Sequence, residues 1–147
     1  MKLSTKAFVS LLKAHQAVYE HSGGLVGHRL LLMPTLLLRT TGRKSGKTRT
    51  NALVYGRDAG RYLVCASNGG HDLPPAWLLN LETHHHVEVQ VGIRKYASVA
   101  TVLRPDHPDY ERLFAICNKA NKGQFAAYQK KTARPLPVVV LTPTSMS

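Results

Sequence analysis

The sequence predicts an α+β fold: a mostly antiparallel sheet of about six strands, able to curl into a small barrel, with helices at its periphery. Three observations carry this expectation. The chain has 147 residues, a length that favours one domain over 1–147. Its strand-forming runs are joined by links of a few residues, whereas parallel neighbours need crossovers of a dozen or more. One run, Val87 to Val91, alternates strictly between apolar and polar side chains, which marks a half-buried strand. About six such strands can close on themselves and so remove exposed edges.

The elements follow in order. Residues 3–20 place Phe8, Leu11, Leu12, His15, Val18 and Tyr19 at helical spacing; such a helix packs on the core or, being basic and amphipathic, lies on an anionic membrane. Ser22-Gly23-Gly24 breaks the pattern. The run Thr35 to Thr41 is a strand, Gly42 to Gly46 a turn, and Thr48 to Arg57 the next strand. Asp58-Ala59-Gly60 links it to a strand over Arg61 to Ser67. Pro74-Pro75 opens a helix through Trp77 and Leu81, because proline is tolerated in a first turn. After Val87 to Val91, Gly92 leads into Lys95 to Leu103. A helix is expected over Pro105 to Asn121, with Asp106 as its cap and Leu113, Phe114 and Ile116 facing inward. Phe125 to Thr132 forms one or two further helical turns. Pro137 to Leu141 is a last, buried strand, and the tail from Thr142 is expected to fray. The barrel therefore covers about 35–142.

Charge narrows the function. Lys and Arg number 20 against 8 Asp and Glu, a formal net charge of +12. No acid lies between Glu20 and Asp58, where Arg29, Arg39, Arg43, Lys44, Lys47, Arg49 and Arg57 fall, and none follows Glu111. Cations clustered without counter-charge imply an anionic partner: nucleic acid, anionic lipid or a phosphorylated cofactor. Two cysteines, Cys65 and Cys117, are too few for a disulfide scaffold, and no apolar run approaches the ~20 residues of a membrane-spanning helix. With no signal-peptide pattern at the N-terminus, the cytoplasm is the expected compartment.

The strongest local signal is Thr40-Thr41-Gly42-Arg43-Lys44-Ser45-Gly46-Lys47-Thr48-Arg49. It approaches a P-loop, but its glycines enclose three residues rather than four and a strand, not a helix, follows, so a nucleotide triphosphatase is rejected. Its chemistry still favours anions: glycines let N–H groups approach an oxyanion, Ser45 offers a hydroxyl, and Arg43, Lys44 and Arg49 supply charge-assisted hydrogen bonds. The reading that competes is an ordinary solvated hairpin. The second signal is Ala66-Ser67-Asn68-Gly69-Gly70, small residues at a strand end against which a flat group can lie. The third is Pro75-Ala76-Trp77-Leu78-Leu79-Asn80-Leu81, around the single tryptophan, a residue more often core than cofactor wall.

Taken in order, TTGRKSGKTRT, YLVCASNGG, PAWLLNL, VEVQVG and YQKKTARPLPVVVLTP resemble the deazaflavin-dependent nitroreductase and quinone reductase family, over about Thr35 to Thr142. The resemblance implies the split β-barrel fold shared with flavin-binding oxidases, and coenzyme F-420 as the cofactor, with flavin mononucleotide the less favoured alternative because the basic loop suits a longer anionic tail. It implies that Arg43, Lys44 and Ser45 hold the coenzyme's phosphate and glutamyl tail, and that Arg49 with Thr50, Asn51, Ala52, Leu53 and Val54 lines its length. Cys65, Ala66, Ser67 and Asn68 would flank the ring, and Ala76, Trp77, Leu78, Leu79 and Asn80 would close the pocket. Phe125 would also border it, with Tyr128 and Ser67 as catalytic candidates. The chain departs from the family where further tyrosines are common: Phe125 and Lys122 stand in their place. Phe125 cannot donate a proton, which shifts weight from nitro compounds toward quinones or conjugated enones and lactones.

Two other patterns are set aside. His84-His85-His86 resembles a metal tract, but side chains alternate along a strand and cannot all converge, so a helix-to-strand turn is expected and no metal. Ser67, His71 and Asp72 are too close in sequence for a hydrolase triad, and no nucleophile elbow is present. Cys117 is expected in the core. The leading expectation is thus a reductase whose cofactor performs the hydride transfer while the protein positions and desolvates. The alternatives are a non-catalytic cofactor carrier and an anion-binding module for nucleic acid. Against nucleic acid, the basic residues are not interleaved with aromatics on a strand face.

Overall fold

The computed structural model describes residues 33–146. The expected N-terminal helix at 3–20 lies outside the described residues. Within them the chain runs β1 (Thr35–Thr41), β2 (Thr48–Val54), β3 (Gly56–Asp58), β4 (Arg61–Cys65), a short 3-10 turn at Asn68–Gly70, α1 (Ala76–Thr83), β5 (His86–Val91), β6 (Arg94–Leu103), α2 (Tyr110–Ala120), α3 (Gln124–Gln129) and β7 (Val138–Met146). All strand pairs are antiparallel, in the order β2-β1-β5-β6-β7-β4-β3.

Seven strands stand where about six were expected, because the run Thr48 to Arg57 is two strands. It breaks at Tyr55, whose N–H makes the last bond in the β1–β2 register, donating to the Pro34 carbonyl at 3.1 Å. Before the break β2 pairs with β1; after it β3 pairs with β4. The two ends of the strand order are therefore consecutive in sequence, and the sheet returns on itself at this corner as a split barrel. A single strand changing partner in this way leaves fewer free edges to protect.

Period-two alternation explains which strands read as continuously apolar. In β4, Tyr62 and Val64 enter the core inside the sheet, while Leu63 and Cys65 enter the core under α2 and α3. In β7, Val139 and Leu141 face the first core, Val138 and Val140 the second. Strands covered on both faces have no polar face to show. The half-covered β5 keeps the alternation, with Val87 and Val89 buried.

Two expectations are corrected. The tail from Thr142 does not fray: β7 continues to Met146, pairing Thr142 with Val99, Pro143 with Ser98 and Met146 with Tyr96. Proline lacks an N–H for a regular ladder, and it is accommodated where the register shifts between Ala97 and Ser98. The second helix starts at Tyr110, with Asp109 rather than Asp106 at its N-cap position and no side-chain cap bond. Residues 105–109 are instead taken up in turns, with the His107 N–H donating to Arg104 and the Tyr110 N–H to His107.

Candidate active site

A cleft of about 1060 Å³ opens along β2. At one end lies the Gly42–Ser45 turn, and past the other end α2 packs on β3. A β carbon at Gly56 would lie 2.7 Å from Ile116 Cγ2, so the helix sits directly on the strand. Seven strand residues span about 20 Å, so the cleft suits an elongated ligand.

The basic turn is closed by its own backbone. The Gly42 N–H donates to the Lys47 carbonyl and the Gly46 N–H to the Gly42 carbonyl, both at 2.8 Å. A β carbon on Gly42 would lie 2.7 Å from Ser45 Oγ and 3.1 Å from the Lys47 carbonyl oxygen, so a larger residue would have to displace the Ser45 hydroxyl and loosen this closure. Ser45 Oγ accepts from the Lys47 N–H at 3.1 Å, which leaves its own hydrogen to donate. Asn80, buried in α1, braces the turn. Its Oδ1 accepts from the Arg43 N–H and from Arg43 Nη1, both at 3.1 Å, and its Nδ2 donates to Thr40 Oγ1 at 3.2 Å. Among the described residues the ion pairs use Arg39, Arg61, Arg104 and Arg112; Arg43, Lys44, Lys47 and Arg49 are in none of them. Exposed cations beside the Ser45 hydroxyl form an anion cradle. The residues present therefore fit a coenzyme with a long anionic tail: Arg43, Lys44, Ser45 and Arg49 would hold the tail.

The floor is built differently. Cys65, Ser67, Asn68 and Gly69 line it. Arg134, between α3 and β7, donates to the Ala66 carbonyl at 3.2 Å, the Ser67 carbonyl at 3.0 Å and the His71 carbonyl at 3.1 and 3.3 Å. Thr132 Oγ1 donates to Asp72 Oδ1 at 2.6 Å. Gln129 Nε2 donates to the Thr132 and Arg134 carbonyls, and its Oε1 accepts from the Leu136 N–H at 2.9 Å. Gly70 sits against α3: its φ is +83°, and a β carbon there would lie 2.8 Å from the Tyr128 carbonyl oxygen. The YQKKTARP segment is thus a clip that holds the floor. Asp72 and His71 are absorbed in it, not in a triad with Ser67.

At the far end, Phe125 and Tyr128 line the cleft from α3, and Asn121 lines it from the end of α2. Tyr128 donates its hydroxyl to Gln124 Oε1 at 2.8 Å, and burial pushes its pKa above the ordinary value, so it stays protonated. Burial likewise pushes the Cys65 thiol well up and that of Cys117 to about 12. A neutral buried thiol is no nucleophile.

Most of the residues expected at the site are brought together here: Arg43, Lys44, Ser45, Arg49, Thr50 to Val54, Cys65, Ser67, Asn68, Ala76, Trp77, Asn80, Phe125 and Tyr128 all line the cleft. Trp77 belongs to both core and wall, being 5% exposed and packed in the barrel core. Three expected residues do not line it. Ala66 and Leu78 point into the core, at 0% and 2% exposure; strand and helix periodicity turn them away from neighbours that face the cleft. Leu79 is half-buried outside the cleft lining. Gly42, Thr48, Gly69, Pro74, Pro75 and Asn121 line the cleft beyond the residues expected there. The proximity of Pro74 and Pro75 to Ala76 was a usable signal; nothing near Asn121 marked it. His84 and His85 link α1 to β5 and His86 opens the strand, with His85 Nδ1 donating to the Leu81 carbonyl at 3.0 Å.

A small split barrel with a cationic turn opening into an elongated cleft defines the class of split-barrel oxidoreductases. The chain belongs to the F420H(2)-dependent quinone reductase family, whose sequence model matches residues 11–143. It is 44% identical over 135 residues to an F420H(2)-dependent quinone reductase of Mycobacterium tuberculosis, covering 91% of each chain. A solved F420-H2 dependent reductase superposes with a TM-score of 0.66 at 33% identity, covering 74% of this chain and 93% of that one. A second solved structure, described as a domain-swapped dimer, reaches a TM-score of 0.69 at 29% identity, covering 90% of this chain and 98% of that one.

Proposed function

We propose that this chain is a reductase that uses reduced coenzyme F-420 to reduce quinones. When bound, the coenzyme supplies the hydride. The protein's part is to bind, orient and exclude water. Arg43, Lys44, Arg49 and the Ser45 hydroxyl hold the anionic tail, and β2 runs along the ligand. The small-residue floor at Ser67 to Gly69 admits a planar ring, with the Ser67 hydroxyl at its edge and the Tyr128 hydroxyl, whose hydrogen goes to Gln124, left to accept. The observation that carries this reading is the set of cations that form no ion pair among the described residues, at one end of an elongated cleft, in a chain of this family.

Conjugated enones and lactones present the same electrophilic carbon conjugated to a carbonyl, and the same reading takes them as acceptors. Nitro compounds fit it less well, because Phe125 offers no proton. We place the reaction in the cytoplasm, with the segment at 3–20 touching the inner face of the plasma membrane; flotation with anionic vesicles tests that contact. Fluorescence titration with coenzyme F-420 and flavin mononucleotide, side by side, tests the cofactor. Saturation by the deazaflavin at the lower concentration, followed by anaerobic oxidation of its reduced form by menadione, is expected. Preference for flavin mononucleotide, or binding without turnover of any quinone or enone, overturns it. The net charge of +12 favours one second reading, a nucleic-acid module; affinity for an oligonucleotide that falls steeply with salt and is indifferent to the coenzyme would carry it.

A further inference from the structure

We propose that Asn121 reads the acceptor molecule in the cleft, giving its amide N–H to a quinone carbonyl and accepting through Oδ1 from the hydroxyl formed by reduction. This rests on the quinone reading above. Asn121 is 1% exposed and lines the cleft. Its backbone is satisfied, the N–H donating to the Cys117 carbonyl at 3.1 Å and the carbonyl accepting from the Gln124 N–H at 3.2 Å. Its side chain is not: Oδ1 stands as the buried side-chain polar atom without a hydrogen-bond partner among the described residues.

Buried polar atoms are almost always paired, so an orphan asks for an explanation. Capping the neighbouring helix is not the explanation. Asn118 does that work, its Oδ1 accepting from the Ala126 N–H at 2.9 Å. Lys122 and Gly123, with φ of 55° and 83°, turn the chain tightly between α2 and α3, which holds Asn121 at the wall.

The chemistry of this end of the cleft selects the amide. Phe125 has no polar atom, and the Tyr128 hydroxyl is committed to Gln124. A quinone's oxygens only accept. Reduction adds a hydride, carrying two electrons, and one proton from solvent, and both carbonyls become hydroxyls that donate as well as accept. A donor alone pairs with both states, but the hydroxyl's new hydrogen also needs an acceptor, so a partner that satisfies the reduced state in full is donor and acceptor at once. An amide is both, and rotation about χ2 exchanges its two ends.

The test uses Asn121→Leu and Asn121→Asp, with quenching of Trp77 fluorescence by menadione and by menadiol under anaerobic conditions. Coenzyme F-420 titration and thermal unfolding accompany each variant. The leucine variant removes the orphan oxygen, so its Tm is expected to rise; its coenzyme affinity stays within about twofold while menadione binds about tenfold more weakly. The aspartate variant, an acceptor only, is expected to lose menadione about tenfold more than menadiol. Menadione affinity unchanged in the leucine variant, or equal losses for menadione and coenzyme, overturns the proposal. Should the leucine variant fail to fold, the menadione-to-menadiol ratio on the aspartate variant decides: a shift supports the proposal and an unchanged ratio overturns it. A parent protein that ignores the coenzyme but shows these menadione effects sinks the cofactor reading and leaves this one standing.

Discussion

The basic turn and the floor clip border one cleft and are built on opposite terms. In the clip, Arg134, Thr132 and Gln129 spend nearly every donor on main-chain carbonyls and on Asp72. In the turn, Lys44, Lys47 and Arg49 take part in none of the ion pairs among the described residues. Saturated groups hold the fold; unsatisfied ones are left for a ligand. Stability and affinity are therefore separable along the cleft, and mutations on the two sides have different signatures.

The largest separation is expected from Lys44→Ala combined with Arg49→Ala. Each lost charged hydrogen bond weakens coenzyme binding by about 1.5–3 kcal/mol, while stability changes by no more than ~0.5 kcal/mol at such exposed positions. Isothermal titration and urea unfolding measure the two quantities; an unchanged affinity removes the turn from the site. Next comes Arg134→Leu. It strands the Ala66, Ser67 and His71 carbonyls and is expected to cost about 2–3 kcal/mol of stability. Arg134→Lys recovers only part of this, because an ammonium lacks the planar fork that reaches three carbonyls at once. Urea unfolding that leaves the leucine variant within ~0.5 kcal/mol of the parent would deny the clip its role.

The same contrast explains what could be read from the sequence. The turn was legible because glycine spacing and unopposed charge are local properties of Gly42 to Arg49. The strands were legible because alternation and hairpin links are local too. The break at Tyr55 was not, because it depends on the chain exchanging β1 for β4 as its partner, and β4 is brought there by the rest of the sheet. The extension of β7 past Pro143 depends on β6 offering a register shift at Ala97 and Ser98. The clip showed only as a motif carrying a family resemblance; that Arg134 reaches carbonyls 63 to 68 residues away is a tertiary fact. Asn121 was invisible for the same reason, since being unpaired is a property of everything around it.

Asn80 breaks the division, because it belongs to both regions. Its amide fixes Arg43 at backbone and side chain while bonding Thr40 in β1. Asn80→Ala is expected to lower stability by about 1–2 kcal/mol and to weaken coenzyme binding by a similar amount, as Arg43 loses its preset position. Calorimetry that finds one quantity moved and the other unmoved would assign Asn80 to a single region.

The smallest effect is expected from Asp58, at the β3–β4 corner and outside the cleft lining. Hydrogen bonds from Arg112 at 2.8 Å and Arg61 at 2.6 Å hold its carboxyl below its ordinary pKa of 3.8. A depressed folded pKa means that the carboxylate contributes stability in full above the unfolded value, and that this is lost as pH falls through the folded value. The parent's Tm should therefore exceed that of Asp58→Asn by a constant, small margin from neutral pH down to about 4, the reference carboxylate range, and the margin should close below it. Exposed pairs contribute little, so the margin is modest, and coenzyme affinity should be the same in both proteins across the range. A margin that persists unchanged through the carboxylate range would show that the carboxylate's charge is not its source, and a coenzyme affinity that tracks the margin would show that this corner is coupled to the cleft and that the separation between holding and binding groups does not extend around the barrel.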